Sequence, residues 1–169
     1  CYRVLDGEIG TRIAALFTRV GIRSLGWYEN GFRNITNSKR AITSPEDMQG
    51  LKIRVMEDDV FILTMKALGA SPLPMAFGEL FTALEQKVVD AQENPLAVIY
   101  SSRLFEVQQH LAMTGHFYSP AVLLVSEISW QTLNPEHQRI LAEAATEARD
   151  YERNLSQEAD RELEAALAQ

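Results

Sequence analysis

Arg54 stands at the end of Leu51-Lys52-Ile53-Arg54-Val55, behind Gly50 and ahead of Asp58 and Asp59. Leu51, Ile53 and Val55 alternate with Lys52 and Arg54, the period-two pattern of a strand. Arg54 therefore projects opposite the three apolar side chains. In open α/β sheets ligands bind beyond the carboxyl ends of strands, and a guanidinium there can grip a carboxylate or phosphate through two donors. The plainer alternative is a structural arginine paired to Glu57 or Asp58. Gln92-Glu93-Asn94-Pro95 places an amide where a helix start is expected, and free N–H groups there favour an anion. For Asn94 the alternative is plain N-capping, for Phe77 core packing, and for Arg33 a surface position. Two arginines, an amide and an aromatic near element ends suit a small anionic ligand with an apolar body.

Catalytic readings find less. There is no Gly-x-Ser-x-Gly elbow, no Walker phosphate loop and no Gly-x-Gly-x-x-Gly. His110, His116 and His137 stand apart, without an adjacent nucleophile or carboxylate pair. The only cysteine is Cys1, so neither an internal disulfide nor a zinc cluster is expected, and Tyr2-Arg3-Val4-Leu5 lacks the polar tether of a lipid-modified terminus. No cofactor is implied.

Composition sets the frame. The 169 residues, 46% hydrophobic and 23% charged, are ordinary for a globular protein. No run approaches the about 20 apolar residues of a membrane span. The start shows no signal peptide, which leaves the compartment open. Of the net charge of −7, residues 136–169 carry −5, with nine Asp/Glu against four Arg. This acidity reads as a solvated helix face and argues against nucleic acid.

The elements that must position these residues alternate. Residues 6–19 read as a helix capped by Asp6, with Ile9, Ile13, Leu16, Phe17 and Val20 as its stripe and Gly21 as its stop. Two extended stretches follow, 22–27 and 31–36. Ser44-Pro45-Glu46-Asp47 opens a short helix ended by Gly50. After the 51–55 strand, Asp58 or Asp59 caps a helix with Val60, Leu63, Thr64, Ala67 and Leu68 on one face. Residues 71–75 are extended because of their prolines. Helix 77–87 turns Phe77, Leu80, Phe81 and Leu84 inward. Residues 88–92 make a strand, and a helix capped by Asn94 runs from Pro95 to about Phe105. Strands at 111–114 and 121–125 precede a long helix from Asn134-Pro135, whose stripe is Ile140, Ala144, Ala148, Tyr151, Leu155, Ala159, Leu163 and Leu167. The pattern is α/β with a parallel or mixed sheet. The first helix has no preceding strand and the last has no stop signal, so the chain reads as cut at both ends.

Three blocks carry a family resemblance: Gly50-Leu51-Lys52-Ile53-Arg54-Val55, Gly69-Ala70-Ser71-Pro72-Leu73-Pro74-Met75-Ala76-Phe77, and Val89-Asp90-Ala91-Gln92-Glu93-Asn94-Pro95. Gly31-Phe32-Arg33 and Phe105-Glu106-Val107-Gln108 support them. In order and spacing they resemble the substrate-binding proteins of TRAP transporters, over about Thr18 to Leu155. The resemblance implies a two-lobed, type II-like periplasmic binding-protein clamp for a small organic acid. It also implies delivery to TRAP membrane permease subunits, a periplasmic location, a monomer and no enzymatic activity. An extracytoplasmic sensor domain for the same ligands is the alternative. Carried over by block, Arg54 salt-bridges the ligand carboxylate, Arg33 adds a second cationic contact, Asn94 hydrogen-bonds the ligand and Phe77 lines the pocket. Glu57, three positions after Arg54, faces the ligand and suits sugar hydroxyls, which tilts the expectation toward a uronate.

The resemblance also sorts the chain. Residues 1–30 resemble the end of the first lobe's initial pass, 31–120 a nearly whole second lobe, and 121–169 the return to the first lobe with a long spanning helix. Ala91 departs from a glycine common in the family. The family's opening strands and C-terminal segment have no counterpart, and two lobes of ordinary size need roughly 200–300 residues, so a fragment that clamps ligand poorly is expected.

Overall fold

The computed structural model describes residues 1–167. The chain divides into two compact units. One comprises Cys1–Gly31 and Tyr118–Ala159, the other Phe32–Phe117 and Asp160–Gln169. The chain is mixed α/β, as its alternating pattern predicts.

The second unit is built on a sheet. The strands are β1 (Ile22–Asn37), β2 (Lys52–Val55), β3 (Ser71–Pro74), β4 (Ala91–Pro95) and β5 (His110–Ser126), of which β1 from Phe32 and β5 up to Phe117 belong to this unit. Their order is β3-β2-β4-β1-β5, with β2 parallel to both β3 and β4, and β4 antiparallel to β1. Local chemistry explains the connections. Ser44 and Asp47 form a reciprocal capping box over a 3-10 turn, Pro45–Met48. Gly50 then turns into β2 with φ +70°, a left-handed conformation that glycine adopts freely. Asp58 caps α3 (Asp59–Ala67) by accepting from the Val60 N–H at 2.8 Å.

Two apolar cores form in this unit. Ile35, Met48, Leu51, Ile53, Val55, Met65, Ala70 and Ala91 make the first, flanked by Phe61, Ile62 and Leu68. The second joins α4 (Leu80–Glu85) and α5 (Leu96–Ser101) through Leu80, Leu84, Leu96 and Ile99, with Leu163 and Leu167 against it.

The first unit holds α1 (Tyr2–Leu5), α2 (Glu8–Thr18), α6 (Glu127–Thr132), the start of β1, the end of β5 and most of α7 (Pro135–Leu167). It is tied by polar pairs. Arg153 donates to both carboxylate oxygens of Asp6 at 2.6 and 2.9 Å and to the Trp27 carbonyl at 2.5 Å, and its guanidinium carbon lies 4.2 Å from the Tyr2 ring centre. Tyr28 donates to the Ala145 carbonyl at 2.7 Å.

Several expectations are corrected. Residues 22–27 and 31–36 are one continuous strand, Ile22–Asn37, whose end from Arg33 to Asn37 pairs antiparallel with β4. The two expected strands at 111–114 and 121–125 likewise merge into β5. Asp6 does not cap α2: the cap is Gly7, and Asp6 is engaged by Arg153. The apolar stripes mark the packed faces only in part: Leu68, Leu163 and Leu167 pack on the cores, but other members do not. Ile9, Ile13, Leu16 and Val20 are exposed, as are Val60 and Leu63, while α3 buries Met65. On α7, Ile140, Tyr151 and Leu155 are exposed and the buried residues are Ala145 and Arg153. Around Ala145 and Arg153 the inner side of α7 follows hydrogen bonds to Tyr28 and Asp6, while further along the stripe residues Leu163 and Leu167 pack on the second core.

Candidate functional site

Strand register sorts the candidate residues. Arg54 lies opposite Gln92, and Gln92 opposite Thr36; two residues along, Asn94 lies opposite Asn34. These five side chains share one face of the sheet, and all are at least nine-tenths buried. The other face carries Ile53, Ala91, Glu93, Ile35 and Arg33. A buried polar row requires complete hydrogen bonding.

Arg54 is not paired to Glu57 or Asp58. Its Nε and Nη2 donate to the Met75 carbonyl at 2.9 and 2.6 Å, and Nη1 takes no part in that grip. The Gly69–Phe77 segment supplies that carbonyl and also Phe77, whose ring centre lies 5.9 Å from the guanidinium carbon. Burial draws the Arg54 pKa down, Glu93 pushes it up, Arg33 draws it down and Glu57 pushes it up. Among the described residues Arg54 makes no ion pair: its guanidinium is held by the Met75 carbonyl, with Glu93 and Glu57 acting on it from further off.

Arg33 is arranged differently. Its Nε and Nη2 grip the Glu93 carboxylate at 2.5 and 2.8 Å, and Nη2 also donates to the Glu93 carbonyl and to Asn94 Oδ1. Both side chains are essentially sealed, at 3% and 0% exposure. Phe61 covers the guanidinium, 5.3 Å from ring centre to carbon, and His116 Nε2 lies 3.3 Å from Glu93 Oε2.

Asn94 is not a helix cap. β4 takes in Asn94 and Pro95, and α5 begins at Leu96, so the amide is a buried strand residue. The expected strand at 88–92 is displaced because Lys87 turns with φ +58° and Val89 enters the second core. Phe77 does not turn inward; it is half exposed. Glu57 is exposed and makes no ion pair among the described residues. The sequence alone gives no role to Thr36, Gln92, Gln108, Phe61, His116 or Glu93. A strand as polar as Gln92-Glu93-Asn94 at the centre of a sheet is the signal that marks them. A cavity of about 370 Å³ among Ile42, Ser44, Met48 and Thr114 meets this network only at His116. Among the described residues, no group of three His, Cys, Asp or Glu could hold a metal, and no helix is long and apolar enough to cross a membrane.

Comparison with known proteins decides the family. The model for the bacterial extracellular solute-binding proteins of family 7, DctP, matches residues 1–169. The chain belongs to that family. It is 40% identical over 154 residues to the 2,3-diketo-L-gulonate-binding periplasmic protein YiaO of Escherichia coli K12, covering 91% of this chain and 47% of YiaO. Among solved structures, a TRAP periplasmic solute-binding protein from Polaromonas sp. JS666, bound to D-erythronate, superposes with TM-score 0.94 at 43% identity. The match covers 98% of this chain and 55% of that one. A TRAP solute-binding protein from Sulfitobacter sp. NAS-14.1, with bound β-D-galacturonate, gives TM-score 0.96 at 34% identity, covering 99% and 56%. The chain has the fold of these DctP proteins and spans about half the length of the curated relatives it matches.

Proposed function

We propose that this chain is the carboxylate-gripping part of a periplasmic receptor that binds a hydroxylated monocarboxylic acid and passes it, without chemical change, to TRAP permease subunits. One observation carries the reading. Arg54 is a buried cation fixed by a backbone carbonyl and walled by an aromatic ring, with no carboxylate paired directly to it among the described residues. A fixed guanidinium in a dry site forms strong charge-assisted bonds with a carboxylate.

Charge sets the class of acid. Arg33 is neutralised by Glu93, so one uncompensated arginine faces the ligand and matches one carboxylate. Glu57, exposed beside Arg54, repels a second carboxylate and accepts from hydroxyls. Asn94 supplies a further polar contact and Phe77 the apolar wall. The domain division proposed is a nearly whole second lobe at 31–120, with 1–30 and 121–169 belonging to the first lobe and the spanning helix. The receptor acts as a monomer and uses no cofactor. D-erythronate, β-D-galacturonate and 2,3-diketo-L-gulonate, named for the relatives, each pair one carboxylate with hydroxyls or carbonyls, which supports the reading.

A thermal-shift panel on the protein expressed from its complete gene tests this. D-erythronate, D-galacturonate and D-glucuronate are expected to raise the unfolding temperature and succinate to leave it unchanged. A larger shift with succinate than with any hydroxy acid overturns the monocarboxylate assignment; no shift with any acid overturns the reading itself.

A further inference from the structure

We infer that Gln92, Thr36 and Gln108 are positioning residues that lock the Asn94 amide, so that Asn94 offers the ligand an N–H donor to an oxygen acceptor. The inference rests on the acid-binding reading above and adds a polarity to it.

The buried row is a directed relay. Arg33 Nη2 donates to Asn94 Oδ1 at 3.0 Å. Asn94 Nδ2 donates to Gln92 Oε1 at 2.6 Å. Gln92 Nε2 donates to Thr36 Oγ1 at 2.8 Å, and the Thr36 hydroxyl donates to Gln108 Oε1 at 3.0 Å. Gln108 Nε2 ends the series on the Val107 carbonyl at 2.9 Å.

Its direction is forced from both ends. A guanidinium has donors only, and a backbone carbonyl accepts only. Turning any amide between them sets donor against donor or oxygen against oxygen in a site closed to water. Asn94, Gln92, Thr36 and Gln108 are exposed by only 5, 0, 3 and 7%, so no solvent relieves such a mismatch. The amide groups, ordinarily ambiguous in orientation, here have one.

The consequence falls on Asn94. Its oxygen is turned to Arg33 and one of its two amide hydrogens to Gln92. The second hydrogen remains for the ligand, on the face that carries Arg54. Arg54 and Asn94 thus both present donors, and the matching ligand group is a carboxylate or an oxygen next to it. Thr36 sets this polarity from two bonds away. Gln92 shares the row with both residues, touching Asn94 by hydrogen bond and standing opposite Arg54 in the register.

The experiment uses the protein expressed from its complete gene, with D-erythronate and D-galacturonate as probes. Thr36→Val removes the hydroxyl at nearly constant size; Thr36→Ser keeps it. Calorimetry is expected to show Thr36→Val weakening the better probe by roughly three- to tenfold, the worth of one neutral hydrogen bond, and Thr36→Ser binding as wild type. Nitrogen-15 NMR of wild type is expected to show the probe shifting one of the two Asn94 side-chain amide protons more than the other, which needs no variant to fold. Wild type that binds neither probe overturns the acid-binding reading and this inference with it. Wild type that binds, with Thr36→Val at the same affinity or with both Asn94 amide protons unmoved, overturns this inference alone.

Discussion

Arg33 and Glu93 form a sealed ion pair, 2.5 Å from Nε to Oε2, between antiparallel strands. The pair cancels its own charge, so Arg33 holds Asn94 and the sheet together while Arg54 keeps the free charge. Two arginines read from sequence as one kind of contact are divided by their partners: a carboxylate for Arg33, a backbone carbonyl for Arg54.

The pair predicts an asymmetric stability response. Glu93→Leu leaves a buried guanidinium uncompensated and is expected to destabilise the protein by about 3–5 kcal/mol. The double change Arg33→Met with Glu93→Leu is expected to recover a large part of that loss, since both charges go together. Urea denaturation measures both; a double variant less stable than Glu93→Leu alone contradicts the pairing.

Phe77 predicts a binding effect without a stability effect. The half-exposed ring walls the Arg54 guanidinium and takes little part in the core. Phe77→Ala is expected to weaken acid binding by about 0.5–1 kcal/mol, roughly two- to fivefold, the scale of a cation–π contact at an accessible site. The unfolding midpoint of the ligand-free protein is expected to move little. A large midpoint drop with unchanged affinity places Phe77 in the core instead.

Two glycines bound the block that holds Arg54, and they differ. Both have positive φ, +70° at Gly50 and +84° at Gly69. A Cβ at Gly50 meets nothing within 4 Å, whereas one at Gly69 comes 2.5 Å from Gln49 Oε1. Gly50→Ala is expected to cost about 1–2 kcal/mol from backbone strain, and Gly69→Ala that strain plus the displacement of Gln49. A Gly69→Ala loss smaller than that of Gly50→Ala in denaturation contradicts the steric distinction, the Gln49 side chain being free to swing aside at small cost.

The Asp6–Arg153 pair sets a pH dependence in the first unit. The hydrogen bonds from Arg153 hold the Asp6 carboxyl below its usual value of 3.8. A carboxyl lowered in the folded state stabilises it above the unfolded value and loses that effect as pH falls through the folded one. Asp6→Asn is therefore expected to lower the unfolding temperature at pH 7, with the gap to wild type closing below about pH 4. A gap that persists undiminished at pH 2 contradicts the assignment.

What the sequence reveals, and what it hides, follows from how local each cause is. Ser44, Asp58 and Asn134 mark helix starts because a cap bonds within three residues of itself. The strand of Arg54 is legible for the same reason, since its alternation and its two glycines are local. Asn94 is misread as a cap because β4 is a buried strand of polar residues, made possible only by Arg33, Thr36 and Gln108 elsewhere in the chain. The partner of Arg33 lies 60 residues away and no spacing rule points to it. The apolar stripe of α7 fails as a guide at Ile140, Tyr151 and Leu155, where Tyr28 and Asp6 engage Ala145 and Arg153 instead, and holds at Leu163 and Leu167, which pack on the second core.

Arg54 is proposed above as the carboxylate grip. Titration calorimetry of D-galacturonate and D-erythronate into the protein expressed from its complete gene, wild type beside Arg54→Ala, tests it most directly. Wild type is expected to bind measurably and Arg54→Ala not at all, with the variant still folded. Unchanged affinity in Arg54→Ala would contradict it.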